Sequence, residues 1–500
     1  MNTPICDFVK EYAKSSALRL HMPGHKGMAF LGCEALDITE IDGADSLYEA
    51  SGIIAESEAN ASRLFGCPTF YSTEGSSQCI RAMLYLAVLD AKQKGKVPKI
   101  AAGRNAHKTF LSAVALLDLD VTWIYPEQEE YYLSCDISSV YLKESLEREP
   151  SYLCCDMSLA YLKESLGREP SYLCCDMSSA YLKESLKRES SYLCCDISPV
   201  YLEEFLQREQ PTAVYITSPD YLGHVADVAA LSEVCHRYGV LLLVDNAHGA
   251  YLKFLQKSIH PIDLGADICC DSAHKTLPVL TGGAYLHVAD EMLAKQTKQA
   301  LALFGSTSPS YLILQSLDAA NGYLVDYSEK LQDFCGYVEQ MKETLQKHGF
   351  SLQEQEPLKL TIATKEWGYT GEEFATLLLA QNIVYEFADP DYVVLMFTPE
   401  VGVEGLNKLE EVLLAIPQQI PLKKQPPRFH KAERVMSVRQ AVLSAAETLP
   451  VEQCEGRILA AATVGCPPAV PILVCGERID KDALECFRYY GIESCAVVQE

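Results

Sequence analysis

The chain has 500 residues, room for about three folded units at roughly 150 residues each. Hydrophobic residues make up 48% and charged residues 22%, the balance of a chain that buries a core rather than staying disordered. The formal charge of −26 argues against nucleic acid and anionic membrane as partners, since both need clustered Lys and Arg, and it suits cationic small molecules.

The opening stretch, MNTPICDFVKEYAKSSALRL, has charges inside every apolar window and reads as neither a signal peptide nor a membrane span. The apolar run Val240–Val244 falls far short of the roughly 20 residues that a span needs. With no export route in view, the 20 cysteines are expected as reduced thiols in a cytoplasm. Cys269-Cys270 and the other adjacent pairs lack a second pair at ligand distance, so no metal is expected.

In chain order, residues 76–94 are predicted to form a helix after a Gly-containing turn. Four copies of a 20-residue repeat follow between Tyr132 and Gln210, each a short Tyr-Leu-x-Cys stretch, then Asp and Ser, then a helical pattern. The near-identity of the first three indicates tandem duplication, read as a surface elaboration without chemistry. In the last copy Ser198 can cap a helix, Pro199 suits its first turn, and Tyr201, Leu202, Phe205 and Leu206 share a face. Thr212–Thr217 is a short strand, Ala229–Tyr238 an amphipathic helix, and Val240–Val244 a strand without alternation, as in a parallel sheet covered on both faces. The alternation predicts an α/β fold with a doubly wound, mostly parallel sheet. A helix over 330–345 leads to a smaller α+β unit with strands near Leu358–Thr364 and Tyr392–Thr398, and PLKKQPPRFHK from Pro421 reads as a linker. The expected division is an N-terminal segment 1–55, a large domain 56–330 carrying the repeats at 132–210, a small α+β domain 331–420 and a C-terminal segment 421–500.

Four elements carry chemistry, each expected at a strand end, where open α/β sheets bind ligands. STEGSSQ (72–78) precedes a helix, so its first-turn N–H groups, with Gly75, Ser76 and Ser77, can cradle a phosphate. His107 in RNAHK offers an imidazole able to stack on an aromatic ring. Asp245 ends the strand VLLLV and can pair with a cationic ring nitrogen or a metal. Lys275 in DSAHKTLP follows another strand-like run, beside Ser272 and His274, and a lysine placed there can form a Schiff base once its pKa is depressed. Each signal is weak alone; the ordered combination is specific.

With these residues in hand the sequence resembles the Orn/Lys/Arg decarboxylase family, bacterial fold type I enzymes dependent on pyridoxal 5'-phosphate (PLP). The matching stretches are LHMPGHKG (20–27), DSLYEASGII (45–54), STEGSSQ, GRNAHKT (103–109), TSPDYLGHVADV (217–228), LLLVDNAHGA (241–250), DSAHKTLPVLT (271–281), STSPSYLILQSLD (306–318) and CPPAVPILVCGE (466–477). The resemblance implies an aspartate aminotransferase-like large domain, a small α+β domain and a C-terminal decarboxylase domain. It implies Lys275 as the Schiff-base lysine, Asp245 against the pyridine nitrogen, His107 stacked on the ring and His248 nearby. Ser76, Ser77, Ser272 and His274 would hold the phosphate, and Ser308 would reach the phosphate of a neighbouring subunit in a homodimer with shared sites, or in a higher oligomer. Glu74, Asn246 and Tyr251 depart from the usual pattern.

The implied reaction is decarboxylation of a basic L-amino acid, with arginine slightly favoured over lysine and ornithine. Glu386 and Glu477 are candidates, by resemblance, to receive the cationic tail. An aminotransferase or aldolase on the same fold, and a non-catalytic scaffold using the repeats, stay open as alternatives.

Overall fold

The computed structural model describes residues 1–125, 199–353, 356–427, 431–466 and 470–499. The first three repeat copies, and Ser198 of the last, lie outside these residues. From Pro199 the last copy forms the helix Pro199–Glu209, whose buried side chains Leu202, Phe205 and Leu206 lie on the face that the apolar spacing indicates.

A seven-stranded sheet forms the centre of the described structure. Its strands are β1 (Thr69–Ser72), β2 (Lys99–Gly103), β3 (Asp120–Ile124), β4 (Ala213–Thr217), β5 (Leu241–Asp245), β6 (Ile268–Asp271) and β7 (Ala284–Val288), in the order β1-β7-β6-β5-β4-β2-β3. β7 pairs antiparallel with both β1 and β6, and every other pairing is parallel. Six strands therefore run one way, and their carboxyl ends share one edge. This is the mostly parallel α/β sheet that the alternation of elements predicts.

β5 shows why the pattern VLLLV lacks polar alternation. Leu241 and Leu243 pack on one face with Ala213, Tyr215 and Ile268. Leu242 and Val244 pack on the other with Val214, Ile216 and Cys269. Both faces are covered, so every position of the strand is apolar until Asp245 at its end.

The long helix Tyr327–His348 leads to an antiparallel sheet of β8 (Lys359–Ala363), β9 (Phe387–Ala388) and β10 (Tyr392–Met396) in the order β8-β10-β9. Beyond residues 421–427, which have no regular structure, come two antiparallel pairs: β11 (Ala446–Pro450) with β14 (Ser494–Val498), and β12 (Thr463–Cys466) with β13 (Val470–Val474). They close with the helix Lys481–Tyr489, whose Phe487 packs with Ile472, Leu473 and Val497. No helix among the described residues is long and apolar enough to cross a membrane.

Candidate active site

The sheet register places the site. Thr217 on β4 stands opposite Asp245 on β5, and Asp245 opposite Cys270 on β6. The segments leaving these strands therefore start side by side: Ser218 onward, Asn246–His248 and Ser272–Lys275. β1, running the same way, delivers Ser72–Gly75 to this edge.

Asp245 is buried. Its Oδ2 accepts the Tyr215 hydroxyl at 2.9 Å and its Oδ1 the Ala247 N–H at 3.2 Å. Burial and this carboxylate hold the Tyr215 phenol far above its usual pKa, so the proton stays on Tyr215. Lys275 is half-buried; loss of hydration lowers its basicity, with Asp245 as the leading opposing charge. Its Nζ lies 3.0 Å from His248 Nε2. His248 is buried and held well below the usual imidazole range, first by burial and then by the charge of Lys359.

His107 is solvent-accessible, yet partial loss of hydration lowers its basicity despite the pull of Asp245. It caps the helix Lys108–Leu117: the Thr109 N–H donates to Nδ1 at 3.3 Å. Thr109 Oγ1 in turn lies 3.1 Å from Ser77 Oγ. Ser76 and Ser77 sit in the first turn of the helix Gly75–Gln93, where backbone N–H groups have no intrahelical partner. Ser272 Oγ donates to Ser76 Oγ at 2.8 Å, joining the two strand ends. Gly75 has φ +71°, the left-handed region where glycine is strain-free, and its N–H donates to the Gly282 carbonyl at 2.7 Å. His274 uses Nδ1 on the Gly283 carbonyl at 3.1 Å.

A hydrogen bond thus links Lys275 to His248, charge links Asp245 to Lys275 and His107, and further hydrogen bonds join Ser76 to Ser272 and Ser77, through Thr109, to His107. Ser308 is exposed; its N–H donates to Ser306 Oγ, and among the described residues its hydroxyl is bonded to none of the others. Its loop is tied to the cradle through Glu74, whose carboxylate accepts the Ser306 N–H.

The two carboxylates considered for a cationic tail part ways. Glu386, between the helix Gly371–Ala380 and β9, is exposed, accepts the Tyr221 hydroxyl at 2.7 Å and acts electrostatically on Lys275. Tyr221 sets its ring edge-on to His248 at 5.1 Å. Glu477 is buried and paired with buried Arg104 at 2.6 Å, so its charge is already met.

Several contacts here have no local sequence signal. Asp271 accepts from His260 Nε2 at 3.1 Å, His287 Nε2 at 3.0 Å and Asn246 Nδ2 at 2.7 Å. His260, Cys269 and Asp271 offer metal-ligating atoms within 4.8 Å of one another, all buried, but these hydrogen bonds already engage the carboxylate. Asn246 is thus a strut between β5 and β6, and it fits only because residue 249 is glycine: a Cβ there would lie 2.0 Å from Asn246 Oδ1. Tyr251, a further departure, donates its hydroxyl to Glu356 Oε1 at 3.2 Å. The third unforeseen member, Lys359 on β8, is fully buried against His248.

The donor set fits pyridoxal phosphate: a lysine of depressed basicity for an aldehyde, a buried carboxylate for a ring nitrogen, and hydroxyls at a helix start for a phosphate. Fold and site together define a PLP-dependent enzyme of fold type I. More narrowly, the chain belongs to the Orn/Lys/Arg decarboxylase family. The family's major-domain model matches residues 3–154 and 167–354, and its C-terminal-domain model residues 426–494. Relatives along nearly the whole length include the Uncharacterized protein YaaO of Bacillus subtilis, 28% identical over 97% of this chain and 93% of that one. The Arginine decarboxylase of Bacillus subtilis is 27% identical over 96% and 92%. Among solved structures, the Francisella novicida lysine decarboxylase LdcF shares the fold with a TM-score of 0.70 at 15% identity, over 99% of this chain and 81% of that one. The chain is therefore a PLP-dependent amino acid decarboxylase.

Proposed function

We propose that the chain decarboxylates a basic L-amino acid, arginine before lysine or ornithine, releasing CO2 and a polyamine-type amine. The observation that carries this reading is the Lys275 amine, of lowered basicity, 3.0 Å from a neutral His248 and within the field of Asp245. Arginine is placed first because a relative of 27% identity carries that name.

When bound, the cofactor supplies an electron sink for the pair left as the bond to the α-carboxylate breaks. Lys275 would hold the cofactor through its amine. Asp245, oriented by Tyr215, would hold a proton on the ring nitrogen. His107, its Nδ1 accepting from the Thr109 N–H, would hold the ring by stacking as a neutral imidazole. Ser76, Ser77, Ser272 and His274, with the first N–H groups of the helix Gly75–Gln93, bind the phosphate. Glu386 receives the cationic tail and Tyr221 holds that carboxylate in place. Lys275 or His248 returns a proton to the carbon that lost CO2.

The reading includes a cytoplasmic homodimer with shared sites. Leu18, Leu20, Met22, Met28, Phe30 and Leu31 are 67–90% exposed, a run of apolar side chains suited to burial against a second copy, and Ser308 faces outward. The described cysteines are free thiols, in keeping with a reducing compartment.

The test is CO2 release from arginine, lysine and ornithine by the purified chain with PLP, alongside Lys275→Ala and a keto-acid assay. CO2 from one basic amino acid, absent in the variant, supports the reading. Keto acid without CO2 replaces it with transamination, and no turnover with no cofactor absorption band ends the enzymatic reading.

A further inference from the structure

Lys359 has no solvent exposure. It belongs to β8 of the small sheet, yet its ammonium group lies against the site. Nζ donates to the Asp220 carbonyl at 3.0 Å, pairs with Glu356 Oε2 at 2.8 Å and faces His248 Nδ1 at 3.5 Å. Across the same imidazole, Nε2 is 3.0 Å from Lys275 Nζ. One ring thus separates two lysine head groups.

Proton positions follow from what each group can do. Lys359 Nζ forms an ion pair with the adjacent Glu356 carboxylate, and an ammonium donates but cannot accept. The His248 nitrogen facing it therefore carries no proton. A neutral imidazole with a bare Nδ1 bears its proton on Nε2. That N–H points at Lys275, and only an uncharged amine has the lone pair to receive it. The 3.5 Å separation is the outer limit of a hydrogen bond, so the field of the charge acts as much as the bond itself.

We propose that Lys359 is a positioning residue: it fixes the His248 proton on Nε2 and so presents Lys275 as a free amine, ready to bond an aldehyde. The inference rests on the reading of Lys275 as the cofactor-bonding lysine and adds the group that keeps it reactive. The other groups acting on the pair are Asp245, Glu386 and Cys270 at Lys275, and His107 and His274 at His248. Burial is the first cause of lowered basicity in both; Lys359 is the leading positive charge that adds to it. Tyr251 completes the assembly by donating to Glu356, the counter-charge of Lys359.

The experiment is competitive acetylation of the full-length chain freed of cofactor, with the Lys275 peptide quantified by mass spectrometry across pH. In the parent chain the labelling midpoint of Lys275 falls below that of an exposed lysine. In Lys359→Met it rises by roughly one pH unit, and in Lys359→Arg, which keeps the charge, it stays near the parent. An unchanged midpoint in a cooperatively melting Lys359→Met chain overturns the proposal. Should that variant not fold, Glu356→Gln/Lys359→Met removes both buried charges together: a raised midpoint supports the proposal and an unchanged one overturns it. Cyanoborohydride reduction with PLP, mapped by peptide, tests the underlying reading separately. A label absent from Lys275 rejects that reading whatever the midpoints, and a label there with unmoved midpoints rejects only the role of Lys359.

Discussion

Tyr215 donates its hydroxyl to Asp245 across 2.9 Å, from β4 to the end of β5. The two side chains meet because Tyr215 stands opposite Leu243 and Thr217 opposite Asp245, which sets positions two apart on one sheet face. Tyr215→Phe removes a hydrogen bond to a buried carboxylate, a loss of about 1.5–3 kcal/mol. If Asp245 holds the ring proton, kcat falls roughly 10- to 100-fold, and Asp245→Asn, which removes the charge itself, falls further. Steady-state kinetics with the cofactor spectrum of each variant check this.

Glu386 governs the substrate tail in the proposed reaction. Glu386→Gln is expected to raise KM at least tenfold while kcat falls less, because a charge-assisted contact worth about 1.5–3 kcal/mol is lost in both ground and transition states. Tyr221→Phe is expected to move KM in the same direction by a smaller factor. Equal loss in kcat and kcat/KM, with KM unmoved, would place Glu386 in the chemistry instead.

The legible part of the site is the part written at strand ends. VLLLVD announces a covered strand ending in a carboxylate, and STEGSSQ announces a helix start with hydroxyls, because both follow from local backbone geometry. The contacts that tune those residues are set by register and packing across the fold. Tyr215 reaches Asp245 only through strand pairing. Lys359 reaches His248 from another sheet, more than 100 residues away, with Glu356 as its ion-pair partner. Asp271 collects His260 and His287 from flanking segments that carry no ligand spacing. Resemblance gave Glu386 and Glu477 equal standing as tail acceptors, and only the pairing with Arg104 separates them.

That pair makes its own prediction. Arg104 follows β2, Glu477 follows β13, and the Arg104 guanidinium also lies 5.1 Å from the Trp123 ring centroid. Arg104→Met leaves a buried carboxylate without its counter-charge, a cost of about 3–5 kcal/mol. The Arg104→Met/Glu477→Gln pair removes both charges and is expected to recover most of the loss. Thermal melts of the parent, the single and the double variants decide it: a single variant as stable as the parent would mean that the ion pair does not couple the two segments.

Asp389 makes stability depend on pH. It is buried between β9 and β10; its Oδ1 accepts the N–H groups of Asp391 and Tyr392 at 2.7 Å each, while Oδ2 has no partner among the described residues. Burial, with the Asp391 and Glu372 charges behind it, raises its pKa from 3.8 to about 7 against the pull of those two N–H groups. Folding therefore favours the protonated form. Between about pH 4 and pH 7 the folded chain holds a proton that the unfolded chain has released, so stability is fully present below pH 4 and drains away as pH rises toward 7. Asp389→Asn keeps an acceptor for the two N–H groups and cannot ionise. Its stability is expected to lose less than the parent's between pH 5 and pH 8, by about 1–3 kcal/mol. Other titrating groups are common to both chains and cancel in that difference, so denaturant melts of both proteins at the two pH values isolate Asp389. Parallel losses in the two would mean that Asp389 is ionised in the fold, with Oδ2 satisfied by water.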